Sequence, residues 1–312
     1  MQGYEALRSS AAWFDLSARG KILVSGEDNA RLLHAMSTND VKNLAEGTGL
    51  YAFFLNDKGR ILADSYIYRR PNGFLLDTEP ETAGLLRDHL DRYIIADDAA
   101  LEDESATLAA IALEGPQSFE AAAALGIPVP AEPFSSAAWQ SGFVARVSVT
   151  GASGLRIFLP TPEARAFVES LNAANIPEAD ASSVNVVRLE HGTPRFGDDI
   201  SSRYLAQETQ LAHAVHSNKG CYLGQEIVER VRAQGQVHRL LSPVRISAQT
   251  PPAPGTKLLA NGNPVAEITS AAFSPALGEV VALAYVRREA LHDKPPLVVA
   301  GSSPEMMAAL ST

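Results

Sequence analysis

The sequence predicts an α+β fold with a small all-β module at its C-terminal end. Three observations lead there. Strand and helix patterns are mixed but do not alternate regularly, which argues against a doubly wound parallel sheet. The order strand, glycine, helix, hairpin, helix occurs twice, about 90 residues apart, as a weak internal repeat. From Ser242 onward the composition shifts to a rigid proline- and glycine-rich loop followed by short apolar runs. The chain has 312 residues, 46% hydrophobic and 20% charged, enough to bury a core in each of two or three domains.

Each element has its own signal. Residues 20–26 (GKILVSG) read as a strand and turn, and 28–36 as a helix with Leu32, Leu33 and Met36 at helical spacing. Residues 50–55 and 61–68 flank the turn Asn56-Asp57-Lys58-Gly59 as a hairpin. A strand over 74–77 follows Pro71-Asn72-Gly73, and residues 81–93 form an amphipathic helix with Leu86, Leu90 and Tyr93 inward. The pattern restarts with a strand over 106–113 and a helix over 116–125 carrying a proline in its first turn. Strands over 143–149 and 155–159 flank the turn 151–154. Thr161-Pro162-Glu163 then opens a helix whose core face is Phe167, Val168, Leu171 and Ala174. The β module is expected at 257–259, 265–269, 280–286 and 297–299.

Composition excludes several functions. No run approaches the ~18 apolar residues of a membrane span, and no apolar run follows a basic start, so a cytoplasmic protein is expected. A net charge of −10 argues against wholesale coating of nucleic acid. The lone Cys221 can form neither an internal disulfide nor, by itself, a zinc or iron–sulfur site. No dinucleotide fingerprint, phosphate loop, zinc-protease helix or nucleophile elbow is present.

The informative stretch is Lys219-Gly220-Cys221-Tyr222-Leu223-Gly224-Gln225-Glu226-Ile227-Val228-Glu229-Arg230. Its glycines suggest a tight loop whose backbone approaches something closely. Cys221 precedes a helix N-terminus and sits two residues from Lys219, and both features favour a thiolate. Free cysteines are, however, most often small buried hydrophobes. Between Lys219 and Arg245 five Lys/Arg face two Glu, a net +3. This is either a solvated helix face or a site for carboxylates or phosphates.

This segment resembles the signature of the YgfZ-type folate-binding proteins, relatives of the glycine-cleavage T-protein. The run from Arg188-Leu189-Glu190 to Asp199-Ile200, the run Phe14-Asp15-Leu16-Ser17 through Gly26, Thr38-Asn39-Asp40 and the hairpin at 55–60 resemble the same superfamily. The resemblance covers residues 14 to about 241, and the β module fits the family's C-terminal barrel. It implies duplicated mixed α/β sheet domains around a central channel that holds tetrahydrofolate. It further implies that Glu190 binds the pterin, that Asp64 lies near the reacting folate nitrogen and that Lys219 supplies a cation near the folate. Taken alone, Glu190 could equally cap a helix ending at His191-Gly192. Alternation from Ile61 leaves the face of Asp64 open. Two features depart from the transferases: Gly59-Arg60 and Ala63-Asp64 lack one glycine and one acid, and Leu205-Ala206-Gln207-Glu208 replaces Leu-Pro-Gln-Glu.

The expected domains are 1–104, 105–241 and 242–312. The leading expectation is a monomeric tetrahydrofolate-binding accessory factor for making or repairing iron–sulfur enzymes, including tRNA-modifying ones, with Cys221 and Asp64 as reactive groups. The alternatives are a folate-dependent aminomethyl or one-carbon transferase, and a tRNA-binding module using residues 219–245.

Overall fold

The computed structural model describes residues 2–235, 237–302 and 306–310. Helix α1 (Gln2–Ser9) and strand β1 (Ala12–Asp15) precede the first repeat. That repeat contains β2 (Gly20–Ser25), α2 (Asn29–Met36), β3 (Gly49–Leu55), β4 (Ile61–Arg70), β5 (Gly73–Thr78) and α3 (Ala83–Asp91). Strand β6 (Ala100–Asp103) leads into the second: β7 (Leu108–Glu114), α4 (Ser118–Ala124), β8 (Ser136–Trp139), β9 (Gly142–Ala145), β10 (Gly154–Pro160) and α5 (Thr161–Ala173). Helix α6 (Ala181–Glu190) and α7 (Gln225–Gln234) connect to the barrel. Its elements are β11 (Arg239–Ile246), β12 (Lys257–Ala260), β13 (Asn263–Ser274), β14 (Glu279–Arg287), α8 (Arg288–Asp293), β15 (Leu297–Val299) and β16 (Met307–Leu310).

The repeat expected from the sequence is a true duplication of topology. The two five-stranded antiparallel sheets run β3-β4-β5-β2-β6 and β8-β9-β10-β7-β1. In each, the edge strand beside β2 or β7 is the strand that precedes the other repeat: β6 pairs with β2, and β1 with β7. The sheets pack face to face through Tyr68, Leu75, Ala110, Phe143, Ala145 and Phe158. Their outer faces bury against helices, the first against Leu32, Leu33, Met36, Leu86 and Leu90, the second against Ala122, Phe167 and Leu171. Strand alternation supplies both faces, since odd and even positions point oppositely. Two residues expected on core faces are not there: Tyr93 and Ala174 lie past the ends of α3 and α5 and are exposed. The strand expected over 143–149 stops at Ala145.

The C-terminal module closes into a six-stranded barrel, β11-β14-β13-β12-β15-β16, which leaves no free sheet edge. Asp199 ties it to the body by accepting from Thr269 and Ser270 of β13, each at 2.5 Å, and from Arg188 of α6 at 2.7 Å. The Leu205–Glu208 turn is drawn tight without its proline. Glu208 accepts from the Leu205 backbone N–H at 2.8 Å and from Arg239 at 2.8 Å.

The close approach expected at the cysteine motif occurs at Gly224. Its φ is +82°, and a Cβ there would lie 2.7 Å from the Asn56 carbonyl oxygen of the first hairpin turn. Gly224→Ala is therefore expected to destabilise the protein by about 1–3 kcal/mol. Urea unfolding measures this, and an unchanged midpoint would show that the contact is dispensable.

Candidate functional site

A cavity of about 460 Å³ lies between the two sheets and is walled on another side by residues 193–196, Leu211 and His213. Asp64 reaches it through a local irregularity. Leu55 pairs with Ile61 but Phe54 pairs with Ala63, so Leu62 is an extra residue in β4. This bulge reverses the alternation. Ile61 and Asp64 face inward, while Ala63 joins the outer apolar core. Ala63 belongs to the same apolar cluster as Val24, Phe54 and Leu76, where an acid would be costly to bury.

Asp64 is buried. Its Oδ2 accepts from the Tyr51 hydroxyl at 2.5 Å, and its Oδ1 has no partner among the described residues. Burial, with a further push from the Glu79 charge, raises its pKa from 3.8 to about 6, against the Tyr51 bond and Arg19. Aromatic rings flank it. Tyr51 and Tyr66 meet edge to face at 5.1 Å, and His213 stacks on Phe134 at 5.7 Å and tilts against Tyr51 at 5.6 Å. Phe134 holds this place with φ +64°, a left-handed conformation that costs a bulky residue about 1–3 kcal/mol.

Below the rings runs a chain of alternating charges. Arg156 donates to Asp77, and Arg19 donates to the other oxygen of Asp77 at 2.6 Å and also to Glu79. Arg195 then binds Glu79 at 2.9 Å and Glu81 at 2.6 Å. Burial alone would raise the Asp77 pKa, but Arg156 and Arg19 together hold it below the ordinary range. None of these partners was legible as a site: Arg19 stands within a motif, while Arg156, Asp77 and Glu79 carry no spacing signal.

The other expected site residues do not join Asp64. Glu190 ends α6, as a helix-terminal reading allows, and does not line this cavity. It accepts from Tyr4 at 2.5 Å, Ser274 at 2.6 Å and Arg8 at 2.9 Å, in a separate recess beyond the 151–154 turn. Glu190 and Asp64 thus line two different recesses. The cause is that α6 turns its last residue toward α1 and the barrel. Lys219 is likewise outside the cavity. Its ammonium donates to the Ser37 carbonyl at 2.8 Å and to the His34 carbonyl, closing the end of α2, and sits 4.6 Å from the Tyr222 ring centroid. Burial lowers its pKa to about 8, partly offset by Asp40 and Cys221. Cys221 is exposed on the loop before α7, and so is not a buried hydrophobe. Of the cations between Lys219 and Arg245, Arg232 pairs with Glu229, Arg239 with Glu208 and Arg245 with Glu279. Much of the local positive charge is thereby neutralised.

The raised Asp64 pKa has a stability consequence. Between about pH 4 and 6 the native state keeps a proton on Asp64 that the unfolded chain has released, so stability falls as pH rises through that window. The fall amounts to about 3 kcal/mol when complete. Asp64→Asn is expected to flatten this slope and to be more stable than the parent at pH 7. Denaturant unfolding at a series of pH values checks both.

Comparisons with known proteins agree with this architecture. The profile of the GCVT N-terminal domain matches residues 1–219, and that of the glycine cleavage T-protein C-terminal barrel domain matches 239–302. A curated aminomethyltransferase of Rubrobacter xylanophilus is 30% identical over 297 residues, covering 92% of this chain and 78% of that protein. One from Streptomyces coelicolor is 28% identical over 295 residues, covering 90% and 79%. The crystal structure of glycine cleavage system aminomethyltransferase T from Bartonella henselae superimposes with a TM-score of 0.91 at 23% identity, covering 100% of this chain and 88% of that one. That structural likeness speaks for the fold. The matched profiles speak for descent, and the chain belongs to the GCVT family of the glycine-cleavage T-protein.

Proposed function

We propose that the protein binds tetrahydrofolate in the cavity around Asp64 and acts there as an aminomethyl or related one-carbon transferase. The observation that carries this reading is the buried Asp64 carboxyl, with Oδ1 unpartnered and aromatic rings around it, in a member of the GCVT family. The curated relatives described above are named aminomethyltransferases. A reduced pterin is flat and edged with N–H donors, so stacking rings and a carboxylate acceptor suit it. Asp64, Tyr51, Tyr66, Phe134 and His213 would hold it. Bound tetrahydrofolate supplies the nitrogen that accepts the one-carbon unit. Asp64, with a pKa near 6, can take and return a proton at Oδ1 near neutral pH. Tyr51 fixes the carboxyl by occupying Oδ2.

A second reading rests on a different residue. Cys221 is exposed on the loop 219–224, outside the cavity lining. That placement suits a thiol offered to a partner, as in a folate-binding accessory factor serving iron–sulfur enzymes that include tRNA-modifying ones. Cys221→Ser should then fail to restore client activity in a deletion strain.

The transferase reading predicts that wild-type protein, given an aminomethyl donor and tetrahydrofolate, forms methylene-tetrahydrofolate. Asp64→Asn should lower turnover about 10²–10⁴-fold while calorimetry still detects tetrahydrofolate binding. Binding without turnover in the wild type would reject the transferase and leave the accessory reading. Absence of binding would reject both.

A further inference from the structure

Arg156 is the inner end of the charge chain and is 1% exposed on its side chain. One guanidinium nitrogen, Nη1, donates to Asp77. The other two, Nε and Nη2, have no hydrogen-bond partner among the described residues. A buried guanidinium with open donors is costly and calls for a reason. The fold does not require it. Arg156 stands opposite Ala112 of β7, and the matching place in the first sheet, opposite Leu23 of β2, is Leu75. Leu75 fills that place as an ordinary core residue.

The two open nitrogens lie on one edge of a planar group. Nε–H and one Nη2–H point in parallel, the fork that accepts both oxygens of a carboxylate. A pterin edge offers no matching pair of acceptors, whereas Asp64 Oδ1 suits its N–H donors. Arg156 and Asp64 both line the cavity. The Tyr66 ring lies over the guanidinium at 4.7 Å, and neither nitrogen is in contact with solvent. Its hydroxyl is held by one long bond, 3.3 Å, to the Ser148 carbonyl.

We propose that the Nε/Nη2 edge of Arg156 is a carboxylate-binding subsite of the cavity, uncovered when a ligand displaces the Tyr66 ring. The carboxylate belongs either to a small acid bound as a separate substrate or to the glutamyl tail of a folate. The subsite itself does not depend on folate binding.

The test follows the Arg156 Nε–H resonance in ¹H–¹⁵N spectra, assigned by its loss in Arg156→Lys. The probes are glycine, acetate, their amides glycinamide and acetamide, tetrahydrofolate, and 6-methyltetrahydropterin, which has no carboxylate. A saturable shift with glycine or acetate but not with the amides supports a separate small acid. A shift with tetrahydrofolate but not with 6-methyltetrahydropterin assigns the glutamyl tail. In Arg156→Lys, which keeps a cation beside Asp77, affinity for the effective carboxylate should fall about 10–100-fold. Affinity for 6-methyltetrahydropterin should be unchanged. No shift with any carboxylate, or equal shifts with acids and amides, overturns the proposal. If the lysine variant does not fold, the acid–amide comparison on wild type decides alone. Failure of both folate probes with retention of glycine or acetate rejects the folate reading and leaves the subsite standing.

Discussion

Asp77 is the residue on which the arrangement turns. It is fully buried on β5, and two guanidiniums reach it, Arg19 from the link between β1 and β2 and Arg156 from β10. One carboxylate thus joins the two sheets at the floor of the cavity. Arg19 passes the link to Glu79, and Arg195 carries it to the 193–199 segment, which Asp199 fastens to the barrel. Asp77, Arg156 and Arg19 are desolvated at a cost that only their neighbours offset. The network is therefore weak as a source of stability and strong as a constraint on geometry: Asp77 cannot move without stripping Arg156 of its carboxylate.

The same constraint shapes the chemistry. Glu79 is held near Asp64 by Arg19 and Arg195, and its charge adds to burial in keeping the Asp64 carboxyl partly protonated near neutrality. Asp64 destabilises the native state when ionised, and Phe134 sits in a strained backbone conformation beside it. Both departures from the stability optimum border the cavity, as expected where binding or catalysis is selected over folding.

Much of the fold was legible. Periodicity marked α2, α3, α5 and α7 and the β3–β4 hairpin, the repeat pointed to duplication, and the turn-rich C-terminal segment pointed to the barrel. Helices α1 and α8 and strand β8 were not anticipated, and three further features escaped. Strands β1 and β6 are only four residues long, and β6 is largely exposed, so neither carries an alternation signal. The bulge at Leu62 has no glycine or proline to announce it, yet it alone decides that Asp64 faces the cavity. Arg156 and Asp77 sit at strand positions where sequence gives no hint that opposite charges meet across two sheets. The motif residues divided: Asp64 lines the cavity, whereas Glu190 and Lys219 serve interfaces of α6 and α2, because a motif marks descent and only packing says where a side chain ends up.

The reciprocal edge strands carry one more implication. Neither repeat completes its own sheet from its own residues, because β1 and β6 have changed places. A single repeat would leave its sheet one strand short while its own first strand lay unpaired, and a second copy would satisfy both by mutual exchange. The present chain has the layout of a strand-swapped dimer made permanent by a covalent link. Its two halves are interleaved and cannot part like a hinged shell. Any ligand must enter through the mouth of the cavity, past side chains that turn aside, instead of through a gap opened between separating lobes.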